Sequence, residues 1–392
     1  MVEFGSVTTQ QSERDIFGKN PFKLGLFCAN CNGGMTFSTA PERWKAEWDD
    51  IVTVSRIADD TGIEFILPVA KWRGFGGESD LWGRSFEVLT HSAAIGALTK
   101  RIGIFATVHV PLVSPAFAAK AIATIDHVTH GRAGLNIVCG WNQEEFDLHG
   151  VTIDPEQRYN QGLEWFEIYS RLLEGGKPFD WNGQFYKLKG LSTNPLSVQR
   201  PWPVVMSAGY STKGRDFAAK TADLLFTNPG EWSRGKAMVR SVKENSARYG
   251  RDVDVYASCL YVCRPSRKEA EDYYFHVVEE LADRAATAHF SRQRIATATD
   301  GETPASERAA TPVLQRHEPA MGKTYSGSLP GVHPIVGSPD DVVSEMAKLQ
   351  AIGLAGSSMT FVNYLDEMPF FLQEVLPRME RVGLRTPHRI DV

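Results

Sequence analysis

Cysteine is scarce in this chain: five thiols in 392 residues, an odd number. That excludes a scaffold stapled by disulfides and makes the cytoplasm the expected compartment. Nowhere do about 18 apolar residues run together, so no membrane-spanning helix is expected. The first twenty residues lack a basic start followed by an apolar core, so no signal peptide is read there. Lys and Arg number 42 against 47 Asp and Glu, a net charge of −5 with no long run of one sign. That balance lacks the basic footprint of a nucleic-acid binder. No G-x-G-x-x-G follows the first apolar run, no H-E-x-x-H appears, and no Ser-His-Asp grouping stands out.

Two of the thiols, Cys28 and Cys31, form a C-x-x-C inside "GLFCANCNGGM". A structural zinc site needs four ligands, and Cys139, Cys259 and Cys263 supply no second pair of that spacing, so no metal site is expected. A redox dithiol should open a helix, where the dipole lowers a thiol pKa. Here "FKLGLFC" precedes the pair and the Gly-rich "NGGM" follows, which reads as a strand running into a loop. Both thiols are read as small, soft pocket lining.

What the chain has in quantity is alternation. Eight short apolar runs read as strands covered on both faces: 22–29, 65–69, 102–109, 133–139, 204–208, 224–227, 255–263 and 357–362. Helical patterns separate them. Ser114-Pro115 and Ser338-Pro339 are start signals, the second helix stopping at Gly353. Tyr159, Leu163, Phe166, Tyr169 and Leu173 share one apolar helical stripe. Eight such units predict an α/β fold, a closed (β/α)8 TIM barrel, over a doubly wound open sheet. Residues 1–20 read as an extension and 21–392 as one domain. The aperiodic stretch at about 291–330 reads as an insertion before the last strand, either a mobile lid or disorder.

In a barrel of this kind, function gathers at the C-terminal strand ends. Those ends carry Cys28, Asn30 and Asn32; Ala70, Lys71, Trp72 and Arg73; Thr107 and His109; Asn136 running into Trp141; Ser207 to Ser211; and Asn363 with Tyr364. No pair of carboxylates dominates. Such a set can hold a ligand by hydrogen bonds while a cofactor brings the hard chemistry. "SAGYST" could seat a phosphate at a helix N-terminus, with Arg158 adding a charge-assisted bond. Thr107 and Asn136 are either small donors toward a developing anion or satisfied core residues. His109 is either a proton carrier or a core histidine. Trp141 either walls a ring or packs.

Four stretches in order, "TIDHVTHGRAGLNIVCGWNQEEFDLHG", "RYNQGLEWFEIYSRLLEGG", "FDWNGQFYKLKG" and "SAGYSTKGRDFAAKTAD", resemble the bacterial-luciferase-like family of flavin-dependent monooxygenases. The resemblance spans about residues 22–383. Within the family, "AKWRGFGG" and "CGW" look most like the pyrimidine monooxygenases of uracil breakdown, with dimethyl-sulfone monooxygenases next. It implies reduced FMN (FMNH2) and O2 as co-substrates. NAD(P)H would act through a partner flavin reductase, and a flavin–oxygen adduct at N5 or C4a would oxygenate a small organic substrate such as a cyclic amide or N-heterocycle. Carried over by position, Ala70, Lys71, Asn136, Trp141, Glu145, Arg158, Tyr159 and Ser211 would bind the cofactor, Arg158, Tyr159 and Ser211 at its phosphate. Thr107 and Asn136 would place O2, with His109 a further catalytic candidate. Cys28, Asn30, Trp72 and His109 sit where substrate should bind and depart from the pyrimidine enzymes. Relatives of this kind form dimers or tetramers, so a homo-oligomer is expected. The alternatives are a coenzyme F420-dependent oxidoreductase and a non-catalytic flavin-binding protein.

Overall fold

A computed structural model describes residues 18–228, 232–296, 327–329 and 331–387. Its strands are β1 (Lys23–Phe27), β2 (Phe65–Leu67), β3 (Gly103–His109), β4 (Ala133–Val138), β5 (Phe179–Asn182), β6 (Lys187–Leu191), β7 (Val204–Ala208), β8 (Leu224–Thr227), β9 (Asp254–Cys263), β10 (His333–Gly337) and β11 (Gly356–Thr360). Eight of them close a parallel ring in the order β1-β2-β3-β4-β7-β8-β9-β11, with β11 pairing back onto β1. The ring excludes the open-sheet alternative, and its eight strands fall inside or within one residue of the eight apolar runs of the sequence. Helices α1 (Trp48–Asp60), α2 (Val88–Leu98), α3 (Pro115–Val128), α4 (Gln143–Asp147), α5 (Arg158–Glu174), α6 (Thr212–Thr221), α7 (Trp232–Ala247), α8 (Arg267–Phe275) and α9 (Arg284–Ala296) follow in turn, with two more at Pro339–Ala351 and Tyr364–Arg381.

The start signals act as expected. Ser114 Oγ accepts from Phe117 N and Ser338 Oγ from Asp341 N, each with proline in the first turn. Gly353, with φ +98°, ends the helix that Ser338 begins.

Strand alternation divides the core in two. Leu24, Leu26, Ile104, Ala106, Leu135 and Val205 face the helices. Phe27, Phe65, Phe105, Met206, Phe226 and Tyr256 face inward. Phe65 meets Phe105 and Tyr256 edge to face, with ring centroids 5.7 Å apart in both pairs. Glycine makes the room: a Cβ at Gly25 would lie 2.1 Å from the Phe65 ring, and one at Gly134 would lie 2.4 Å from Phe105. Gly25→Ala therefore overpacks the barrel and lowers stability by about 1–3 kcal/mol. Urea unfolding checks this, and Phe65→Leu in the same chain should recover part of the loss.

Three features depart from the eight-unit pattern. β5 and β6 form a separate antiparallel hairpin. A ninth parallel strand, β10, pairs with Cys259–Cys263 of β9, beyond the Asp254–Ala257 stretch that β8 covers. Because β9 has ten residues and β8 four, its upper half needs a partner, and the chain supplies one late in the sequence. Third, residues 291–296 belong to helix α9, so the insertion starts later than expected. Most of the expected lid, 297–326 and 330, and most of the N-terminal extension, 1–17, lie outside the described residues. Within the expected insertion, Phe37 N donates to Gly327 O at 2.7 Å and Gly327 N to Val278 O at 2.6 Å, tying residue 327 to the loop after β1 and to the turn after α8.

Candidate active site

β3 and β4 lie side by side in register, Thr107 opposite Asn136 and His109 opposite Val138. Thr107 and Asn136 both point into the barrel and are buried. Thr107 Oγ1 donates to Pro68 O at 2.6 Å and accepts from Asn136 Nδ2 at 3.1 Å. Since the hydroxyl hydrogen goes to Pro68, the Asn136 amide must donate to Thr107 and turn Oδ1 the other way. Asn136 Oδ1 is buried with no partner. The Thr107 hydroxyl hydrogen is thus committed to Pro68 in this geometry, and Asn136 presents an acceptor.

Beside them lies a buried ion pair. Lys71 Nζ sits 3.2 Å from Glu145 Oε2, with both side chains 3 % exposed or less. Glu145 Oε1 also accepts from Trp72 N. Burial pushes the Lys71 ammonium below its usual range, and Glu145 holds it up. The ammonium lies 4.3 Å from the Phe75 ring centroid and 5.9 Å from that of Trp141. Phe75 and Trp141 stack at 6.4 Å, and Phe290 of α9 packs edge-on against both, at 5.0 and 5.8 Å. Helix α4 holds this wall through consecutive carboxylates. Glu145 reaches inward, while Glu144 bonds His289 Nε2 at 3.0 Å and Gln293 Nε2 at 2.8 Å on α9. Phe75, Glu144, His289 and Phe290 are not among the site residues expected from the sequence. The Gly-flanked Phe75 in "RGFGG" was the one local signal.

A second cluster forms across the barrel mouth. Arg158 opens α5, is buried, and donates from Nη1 to Gly140 O at 3.2 Å, leaving Nε without a partner. Its guanidinium lies 5.0 Å from the Tyr159 ring. Tyr159 OH is 3.3 Å from Ser211 Oγ, and Ser211 caps α6 by accepting from Gly214 N at 3.0 Å. A Cβ on Gly209 would lie 2.8 Å from Gly214 backbone atoms, so only glycine lets the turn close on the helix start. A cation, two hydroxyls and the positive end of a ten-residue helix meet in one corner.

The other expected residues are placed in the fold around these two clusters. Asn30 donates to Val69 O and Phe86 O and accepts from Val69 N, at 2.9, 3.3 and 2.9 Å. Its side chain ties two loops together by serving backbone that no strand pairs. Trp72 is 44 % exposed and packs edge-on against His149 at 4.8 Å, on the outer rim. Tyr364 donates to Phe27 O in the outer layer, and Asn363 caps the last helix. Cys28 and Cys31 are buried in the inner apolar cluster, and all five cysteines are free. Burial, reinforced by Cys31, pushes the Cys28 thiol well up, the wrong direction for a reactive dithiol. Among the described residues, no cluster of three His, Cys, Asp or Glu is placed to hold a metal, and no helix is long and apolar enough to cross a membrane.

A family profile described as luciferase-like monooxygenase matches residues 22–356. The chain belongs to that family. It is 26% identical over 361 residues to the FMNH2-dependent dimethylsulfone monooxygenase of Pseudomonas putida, covering 91% of this chain and 95% of that protein. It is 27% identical over 374 residues to pyrimidine monooxygenase RutA of Variovorax paradoxus, covering 93% and 96%. Among solved structures, DmoA from Hyphomicrobium sulfonivorans superposes with a TM-score of 0.79 at 17% identity, covering 95% of this chain and 91% of that one. This last likeness speaks for the barrel alone.

Proposed function

We propose that this chain is the oxygenase of a two-component system: it takes reduced FMN from a separate NAD(P)H-dependent flavin reductase and uses O2 to oxygenate a small organic molecule. The corner made by Arg158, Tyr159, Ser211 and the start of α6 carries the reading, because it brings together a guanidinium, hydroxyls and a helix N-terminus that a phosphate needs. The cofactor fits the remaining polar inventory as well. Asn136 Oδ1 is an unpartnered acceptor inside the barrel, and Arg158 Nε is an unpartnered donor at the corner. Curated relatives aligned over nine-tenths of both chains include one named as FMNH2-dependent.

When bound, reduced FMN supplies the two electrons that let one atom of O2 enter the substrate while the other leaves as water. The chain's own residues bind, orient and exclude water. Arg158 and the helix terminus hold the phosphate by charge and dipole. Thr107 fixes the Asn136 amide, so that its oxygen meets a donor of the cofactor without reorganising. Phe75, Trp141 and Phe290 keep the mouth dry, which strengthens every polar contact inside. The Lys71–Glu145 pair sets a fixed dipole beside that wall. Cyclic amides, N-heterocycles and sulfones are the substrate kinds to try first.

Purified chain, FMN, a flavin reductase, NADH and 18O2 are to be combined with uracil or dimethyl sulfone. One labelled oxygen per product molecule is expected, with no product when the reductase is omitted. Label arriving only from water, or NADH oxidation accounted for wholly by hydrogen peroxide with every substrate, would sink the reading.

A further inference from the structure

One buried polar side chain at the mouth is used by nothing described so far. His109 closes β3 on its inward face, two residues beyond Thr107. At about 3.3 Å per residue, it stands roughly 7 Å nearer the mouth than the Thr107–Asn136 layer. It is 7 % exposed, and Nδ1 is buried with no partner. The ring packs edge-on against Phe146 at 5.4 Å, a contact that leaves Nδ1 unsatisfied. A buried polar group left in this state costs free energy unless a ligand or water completes it. The groups that act on it come from three elements: Glu145 on α4, Lys71 after β2, and His149 after α4. Glu145 and Lys71 pair with each other, so their charges largely cancel at the imidazole. Burial pushes His109 down to about 4, with Glu145 opposing and Lys71 and His149 adding to the fall. At neutral pH the ring therefore carries no charge, and one nitrogen is a donor while the other is an acceptor.

We propose that His109 is the substrate-selecting residue of this site, binding an uncharged small molecule by a hydrogen bond from its neutral imidazole. The inference rests on the monooxygenase reading for the location of the cofactor, and deepens it by naming the substrate's charge. An anionic substrate would need a counter-charge here. The cation beside His109 is already paired with Glu145, and the imidazole does not provide one. At His109 itself an anion would meet a neutral ring beside an ion pair already closed on itself, and would lose hydration without gaining a counter-charge there. An uncharged molecule with a polar oxygen or N–H completes the orphaned nitrogen and loses little water on entry. The aromatic wall of Phe75, Trp141 and Phe290 suits such a molecule for the same reason.

The test uses FMN-loaded protein labelled with 13C at the histidine rings. The His109 signal is assigned by its loss in His109→Gln. Between pH 6 and 8 that signal should stay at the neutral-ring position. Uracil or dimethyl sulfone should move it saturably, while their anionic counterparts orotate and methanesulfonate leave it unmoved. His109→Ala should weaken the uncharged probe at least 10-fold and His109→Gln, which keeps a donor and an acceptor, should recover most of that. Binding of FMN itself should change less than 2-fold in both variants. A ring that titrates between pH 6 and 7, a signal moved by the anions or by no uncharged probe, or probe affinity unchanged in His109→Ala overturns the proposal. Turnover is read separately. Probe binding through His109 without 18O in any product would refute the oxygenase reading and leave the role of His109 intact.

Discussion

Replacing Glu145 by glutamine should lower the stability of the fold by about 3–5 kcal/mol, the range for stripping a buried charge of its partner. Glutamine keeps the shape and can still accept from Trp72 N, so the change isolates the charge. What remains is Lys71, buried and 3.2 Å from a group that no longer attracts it. The sign of the pH dependence follows. Burial already holds the Lys71 pKa below its unfolded value, and Glu145 opposes that fall. Without Glu145 the folded pKa drops further, while the unfolded chain still titrates near ~10.4. Between those two values the unfolded state binds more protons, so stability rises with pH across the window. The variant should be weakest below its lowered folded pKa and regain stability toward pH 9.5. Urea midpoints at pH 7 and pH 9.5 measure this. Glu145→Gln combined with Lys71→Met should be more stable at pH 7 than Glu145→Gln alone, and should lose the pH-dependent gain. A single variant that stays as stable as the parent at pH 7 would mean that water reaches Lys71.

That pair also marks how far the sequence could be read. The barrel was legible because strands covered on both faces must be apolar along their length, and because Ser-Pro and Gly bracket the helices in order. β10 was not, since "HPIVG" opens on His-Pro and follows closely on the aperiodic stretch, so it reads as part of that insertion. Its reason to exist is the excess length of β9, a fact of register. The Arg158–Ser211 corner was partly legible: Ser211 reads as a cap at a helix start, and Arg158 as a charge able to join it, while Tyr159 came from the resemblance. The mouth was least legible. Asn30 and Thr107 are the residue types that ligand sites use, yet their hydrogen bonds go to the backbone of neighbouring loops. Whether a polar side chain is free depends on where unpaired carbonyls fall, which spacing does not encode. Phe290 is remote in sequence and enters the aromatic wall through tertiary contacts, His289 and Gln293 on Glu144 among them.

Arg158→Gln should weaken binding of reduced FMN by about 100-fold, roughly 2.7 kcal/mol, while leaving reduced riboflavin nearly unaffected. The comparison works because the two ligands share the ring and the ribityl chain and differ in the phosphate. In the parent, the guanidinium is held by Gly140 O and by the Tyr159 ring, and its Nε has no partner. A phosphate there would take a charge-assisted bond in a buried setting, worth about twice a neutral one. The α6 terminus and Ser211 remain in the variant, so binding should weaken without vanishing. Glutamine covers much of the same apolar surface as the arginine stem, which keeps α5 seated. Anaerobic titration of both ligands, with salt varied, gives the answer. The FMN loss should shrink as ionic strength rises and screening weakens the parent's charge contact. An equal loss for riboflavin would show instead that Arg158 acts by supporting the Gly140 turn, and the phosphate would then have to be sought elsewhere on the rim.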